Sequence, residues 1–198
     1  SKDHIVLGWT RSGSIPEGIA AMPDLPLLVA NSDTLILSLF DDAAVTSVLD
    51  QMLDRDLDGK LIIETSTVVP TILSDRIAKI QAKGASAVDA PISGGPELVL
   101  SGACGVFIGG SDAAAKRATA TLASISGRVL HVGPLGTGLV MKTINNGMLQ
   151  CYMAGLTELM PLAKRAGLPL ETALSILAAG PAGTPMINDR LPKILGED

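Results

Sequence analysis

A chain of 198 residues holds one large domain, or one domain and part of a second, and its 47% hydrophobic and 18% charged residues exclude a disordered segment. A formal net charge of -5 argues against a nucleic-acid backbone as partner, while leaving room for a phosphorylated small ligand that needs only a local positive site. Cys104 and Cys151 stand in apolar sequence surroundings and read as small hydrophobes; they make no disulfide framework, and two distant histidines suggest no metal site.

Aromatic residues are only 2%, so the core must be built from Leu, Ile, Val, Ala and Met, the usual filling of parallel strands covered by helices. No apolar run approaches the length of a membrane span, and no signal peptide opens the sequence. The default expectation is a cytoplasmic protein without a membrane partner.

In chain order, His4 to Trp9 predicts a short strand ending at Thr10-Arg11-Ser12. Residues 13–28 predict a loop and a short helix, punctuated by Pro16, Pro23 and Pro26. Thr34 to Leu39 predicts a strand buried on both faces, and Asp41-Asp42 a helix start with acidic charges at the positive end. A strand at Lys60 to Thr65 precedes Ser66-Thr67, and Pro70 opens a helix running to about Lys83. Strands follow at Ala85 to Ala90 and Cys104 to Ile108, then a helix at Ala113 to Ile125 capped from Ser111-Asp112, and a last strand at Arg128 to Val132. Alternation of this kind predicts a parallel α/β sheet.

The pattern then changes. From Gly138 to about Ala166 the apolar residues recur at helical spacing, with Pro161 the one proline. About 29 residues at 1.5 Å each span roughly 43 Å, long enough to leave one domain and enter another. Further helices are expected at Leu170 to Ala179 and around Asn188 to Leu195. The boundary is expected near Gly133 to Gly136, giving domains 1–134 and 135–198.

Ligands of open parallel sheets bind outside the carboxyl ends of the strands. Those ends carry Thr10-Arg11-Ser12, Ser38-Leu39-Phe40, Ser66-Thr67 and Ser93-Gly94-Gly95. A guanidinium beside two hydroxyls suits a phosphate monoester, and an Arg rather than an acidic residue at this place favours NADP over NAD; the ordinary alternative is a solvated arginine. Ser93-Gly94-Gly95 offers successive amides to an anion such as a carboxylate, or is simply a flexible turn. Lys142 shares a helix face with Asn145 and Asn146, a set able to orient and deprotonate a small polar molecule, although a solvated lysine answers the same description. Glu64, Asp89 and Glu158 are unpaired in sequence and read as structural or solvent-facing carboxylates. His131 reads as a packed or surface histidine.

Together, Asp89-Ala90-Pro91-Ile92-Ser93-Gly94-Gly95, Gly109-Gly110, the run from His131 to Gly138, and Lys142 with Asn145-Asn146 resemble the β-hydroxyacid dehydrogenase family. That family includes 3-hydroxyisobutyrate dehydrogenase, tartronate semialdehyde reductase and 6-phosphogluconate dehydrogenase. The resemblance implies a Rossmann-like domain with helices on both faces, a long interdomain helix and a partial all-helical domain. It implies Lys142 as catalytic acid or base, and Ser93, Gly94, Gly95 and Asn146 as substrate-binding residues. Thr10, Arg11, Ser12, Leu39, Phe40 and Thr67 are implied for the cofactor. It further implies a homodimer formed through the helical domain.

The departures are specific. The family's Gly-x-Gly-x-x-Gly turn has no counterpart here, and its helical domain continues past Asp198, so the expectation is a truncated or incomplete copy. Leu98, Val99 and Ala103 stand where the family usually has Gly, Ala and Thr, and Phe40 where it usually has Pro. Asn145 replaces the His of 6-phosphogluconate enzymes and argues against that substrate. The expected function is NADP-dependent hydride transfer with a small β-hydroxyacid resembling 3-hydroxyisobutyrate. The alternatives are a catalytically inactive module that oligomerises or binds a partner, and an imine-reducing relative, against which Lys142 speaks.

Overall fold

The computed structural model describes residues 4–196. Strand β1 (Leu7–Gly8) and strand β2 (Ala20–Ala21) pair in parallel as a small separate sheet. Helix α1 (Leu25–Ala30) follows, capped by the Asp24 carboxylate accepting from the Leu27 amide. Next come β3 (Thr34–Leu37), α2 (Asp42–Leu53), β4 (Leu61–Glu64), α3 (Thr71–Ser74), α4 (Ile77–Ala82) and β5 (Ser86–Asp89). Then follow β6 (Ile92–Ser93), α5 (Pro96–Leu100), β7 (Gly105–Gly109), α6 (Asp112–Leu122) and β8 (Arg128–Gly133). Helices α7 (Thr137–Arg165), α8 (Leu170–Ala179) and α9 (Pro185–Leu195) complete the order.

The main sheet is a Rossmann-like mixed sheet. Strands β3, β4 and β5 are parallel and in register, with Leu37, Glu64 and Asp89 aligned at their carboxyl ends. The chain at β5 and β6 runs antiparallel along one edge of β7, and β8 pairs in parallel with the other edge. The expected wholly parallel sheet is therefore corrected at β7. Only the short helix α5 and its turns link β6 to β7, too little chain for a parallel crossover, which takes a dozen residues or more.

Helices cover both faces. On one face Leu25, Val29, Val45, Leu49, Met52, Ile72, Leu73 and Ile80 pack over Leu35, Leu37, Ile62 and Ala87. On the other, Ala114, Ala115, Ala118 and Leu122 of α6 pack over Leu61, Ile63, Val88, Val106 and Ile108. The small alanines let α6 lie close on the sheet. Strand β4 is buried on both faces, whereas the expectation of a doubly buried β3 fails at Ile36, which is 45% exposed. Strand β3 is the edge of the sheet, and α6 packs on β4, β5, β7 and β8.

The helix expected from Pro70 to Lys83 is two pieces. At the break, the Arg76 amide turns to the Leu73 carbonyl, a tightened i→i+3 turn. The Arg76 guanidinium meanwhile grips both oxygens of Asp50 on α2, at 2.7 and 3.0 Å, and donates to the Ile72 carbonyl at 3.0 Å. Asp41 caps α2 through the Ala44 amide at 2.8 Å, as its charge and place predict. Strand β2 and helix α5 lie in stretches read as loop or turn.

The long helix spans Thr137–Arg165 with Pro161 inside it. A first compact unit ends at Thr143, and a second begins at Ile144. Within the second unit Ala173, Leu174 and Ile187 are buried where α8 packs on α9, and the Tyr152 hydroxyl donates to the Ala182 carbonyl at 2.7 Å. Cys151, expected among apolar neighbours, is exposed, whereas Cys104 is fully buried. Among the described residues no helix is long and apolar enough to cross a membrane.

Candidate active site

The carboxyl ends of β3 and β4 are laced together by hydroxyls. The Thr65 hydroxyl donates to the Leu37 carbonyl at 2.7 Å, and the Leu39 amide donates to the Ser66 hydroxyl at 2.8 Å. This draws Leu39 beside the β4 end and leaves Thr67 exposed just after it. Phe40 projects into solvent with 96% of its surface exposed, a costly position for the largest apolar side chain of the strand end.

Thr10, Arg11 and Ser12 are exposed in the turn that leaves β1. The Thr10 and Ser12 hydroxyls lie 3.4 Å apart, and Thr10 donates to the Ser14 carbonyl at 3.1 Å. Trp9 packs against the core beneath α1 and α2, which ties this turn to the β3 side of the sheet.

Ser93 ends β6, and Gly94 and Gly95 lead into α5. Gly94 has φ +143°, a backbone region L side chains rarely enter, and a Cβ there would lie 3.0 Å from Leu98 Cβ and 3.1 Å from Cys104 Cβ. Among the described residues no acceptor takes the amides of Gly94 or Gly95. Two exposed, unspent amides beside a serine can receive an anion.

Lys142 stands in the second turn of α7 and is only 9% exposed. Burial holds its ammonium below the usual lysine range, and among the described residues no carboxylate pairs with it. Asn145 and Asn146 are half-buried in the second unit, with the Asn145 amide donating to the Asn146 side-chain oxygen at 3.5 Å.

Two carboxyls that read in sequence as structural or solvent-facing, Glu64 and Asp89, are fully buried. Asp89, fully buried at the end of β5, accepts the Gly136 amide at 2.6 Å and the Leu139 amide at 2.7 Å. Glu64, equally buried, stands directly across from it on β4. Glu64 Oε1 accepts the Ser66 amide at 2.6 Å, and Oε2 has no partner among the described residues. Burial pushes the Glu64 carboxyl above its ordinary range, with Asp89 adding to the rise. Burial also raises Asp89, against the opposing pull of the Gly136 and Leu139 amides. Of the two readings of His131 the structure gives the surface one: it is exposed on β8, its Nε2 donating to the Gly110 carbonyl at 2.9 Å and the Gly133 carbonyl at 3.0 Å.

A doubly covered sheet with polar strand ends, followed by a long helix carrying a buried lysine, defines a Rossmann-like fold with a helical extension. Residues 3–133 match the family model described as the NAD binding domain of 6-phosphogluconate dehydrogenase, and residues 136–198 match that described as NAD-binding of NADP-dependent 3-hydroxyisobutyrate dehydrogenase. The chain belongs to the β-hydroxyacid dehydrogenase family.

It is similar to the mitochondrial 3-hydroxyisobutyrate dehydrogenase of Drosophila melanogaster, at 34% identity over 76% of this chain and 47% of that one. It is also similar to 2-(hydroxymethyl)glutarate dehydrogenase of Eubacterium barkeri, at 32% identity over 82% of this chain and 55% of that one. Among solved structures, Mycobacterium tuberculosis 3-hydroxyisobutyrate dehydrogenase with L-serine superposes with a TM-score of 0.83 at 25% identity, covering 92% of this chain and 65% of that one. The chain thus spans about half to two thirds of the length of these relatives.

Proposed function

We propose that the chain carries an NADP-dependent oxidoreductase activity, moving a hydride between the nicotinamide cofactor and a small β-hydroxyacid of the 3-hydroxyisobutyrate kind. The carrying observation is Lys142, a lysine buried and unpaired among the described residues whose ammonium is destabilised by desolvation. Desolvation favours the neutral amine, the form that takes a proton as a general base.

The residues present fit the phosphate-bearing adenosine end of the cofactor. Arg11 with the Thr10 and Ser12 hydroxyls would hold a phosphate monoester, and exposed Phe40, with Leu39 and Thr67, would form the wall beside it. NADP therefore stands ahead of NAD. The bound nicotinamide supplies or takes up the hydride. Lys142 Nζ removes the substrate hydroxyl proton in oxidation and returns it to the carbonyl oxygen in reduction. The Gly94 and Gly95 amides, beside Ser93, receive the substrate carboxylate. Asn146 is assigned to substrate binding by the family resemblance. On this reading residues 1–134 serve the cofactor and 135–198 open the helical domain of a cytoplasmic homodimer.

The test is Lys142→Ala. Reduction of NADP with 3-hydroxyisobutyrate and related hydroxyacids should fall by about 10²–10⁴-fold, the usual worth of a general acid or base, with NADPH affinity kept. Equal turnover in the variant removes Lys142 from the chemistry.

A second reading has its own observation. Ile144, Met148, Leu159 and Leu162 on α7 and Ile176 on α8 are exposed, as in a module that only oligomerises or binds a partner. Failure of NADPH to bind at millimolar concentration favours it. An imine-reducing function is disfavoured by Lys142; imine reductases such as that from Streptomyces aurantiacus share the fold, with a TM-score of 0.70 at 19% identity.

A further inference from the structure

The Asp89 side chain spends both of its oxygens on one place. Oδ1 takes the Gly136 amide and Oδ2 the Leu139 amide, so the carboxylate brackets the first turn of α7 from the end of β5. Orphan amides at a helix start attract an anion, but here the anion is built into the sheet. The fit is close. A Cβ added at Gly138 would collide with the Phe107 carbonyl and lie 2.7 Å from Asp89 Oδ2, and one added at Gly109 would strike Asp89 Oδ1. At Gly138 and Gly109 helix and sheet approach through backbone, with the Asp89 carboxylate set between them. Leu139 is fully buried in this junction, and Lys142 follows it by three residues on the same helix face.

Glu64 completes the arrangement. It lies in register with Asp89 on the neighbouring strand, without contact to solvent. Two buried carboxyls side by side do not both ionise. Both Asp89 oxygens accept N–H groups, which suits the carboxylate, whereas Glu64 Oε2 has nothing to accept and suits the protonated form.

We propose that Asp89 is the positioning residue for Lys142: as an anion it locks the first turn of α7 to the end of β5, and Glu64 is its neutral neighbour. The proposal rests on the reading of Lys142 as the proton-transfer group. Asp89 touches neither substrate nor cofactor in this account, and it acts through the helix.

The test measures Lys142 directly, without cofactor or substrate. Competitive labelling with acetic anhydride across a pH series, read by mass spectrometry, gives the titration midpoint of this one lysine. In the unaltered chain the midpoint should lie below the free-lysine range. Asp89→Asn offers an N–H where an acceptor is needed, and the midpoint should move up toward the free-lysine value as Lys142 becomes solvated. Glu64→Gln copies a neutral carboxyl and should leave the midpoint unchanged. Gly138→Ala keeps both carboxyls but forces the helix start away from Phe107, and it should shift the midpoint as Asp89→Asn does, which carries the test if Asp89→Asn fails to fold.

An unchanged midpoint in folded Asp89→Asn or Gly138→Ala overturns the proposal. So does an equal shift in Glu64→Gln. Exchange of the Gly136 and Leu139 amides in the unaltered chain must be slow, and exchange at the rate of exposed loop amides also overturns it. A retained shift without NADPH-dependent turnover would count against the oxidoreductase reading alone. Turnover without a shift would count against the positioning role alone.

Discussion

Lys142 and Glu64 are opposite cases of one rule: burial disfavours charge, so it lowers a lysine and raises a carboxyl. For Glu64 this has a consequence for stability. Its protonated form is the one that folding favours. That contribution is fully present below the ordinary carboxylate range and is lost as pH rises through the raised value. Urea unfolding at a series of pH values should show stability declining over that window. In Glu64→Gln the decline should be shallower and stability at neutral pH higher. An identical slope in the variant would mean that Glu64 is not the titrating group. Arg11 makes a second residue-scale case. Arg11→Ala should weaken NADPH binding by about 10-fold or more, the loss of one charge-assisted phosphate contact of roughly 1.5–3 kcal/mol, while leaving NADH nearly unaffected. A fluorescence titration with each nucleotide separates the two, and equal weakening of both would remove Arg11 from phosphate recognition. Lys142 was singled out in sequence by the helix face it shares with Asn145 and Asn146 and by the family resemblance. The role of Asp89 was not, because its partners lie 47 and 50 residues away.

At the scale of elements, what read correctly had a local cause. Asp41 and Ser111 stand at the starts of α2 and α6 and accept the amides three residues on, as capping residues do. Asp41→Ala should cost about 0.5–2 kcal/mol by chemical denaturation, the usual worth of such a cap, and no change would show that α2 is held by packing alone. Leu49, fully buried on the same helix, should cost more, about 2–5 kcal/mol for Leu49→Ala. Elements that escaped notice lacked a local signal. Strand β2 is two residues long and α5 five, too short for any periodicity to show. The break between α3 and α4 falls at Arg76, whose partner Asp50 lies 26 residues away. The antiparallel run of β5 and β6 against β7 is likewise a pairing choice that apolar runs alone leave open.

For the whole molecule, the alternation of strands and helices sufficed for the Rossmann-like class, and the joint order of Ser93-Gly94-Gly95 and Lys142 for the family. The candidate site was legible as a set of strand ends because open sheets bind ligands there. Its electrostatics were not, since burial is a property of the folded chain. The chain spans only part of the length of its relatives, so cofactor binding by this chain itself is the central claim. Titration of the purified chain with NADPH, followed by nucleotide fluorescence, tests it most directly. The account predicts saturable binding that is tighter than for NADH and survives Lys142→Ala. No binding at millimolar NADPH would contradict it.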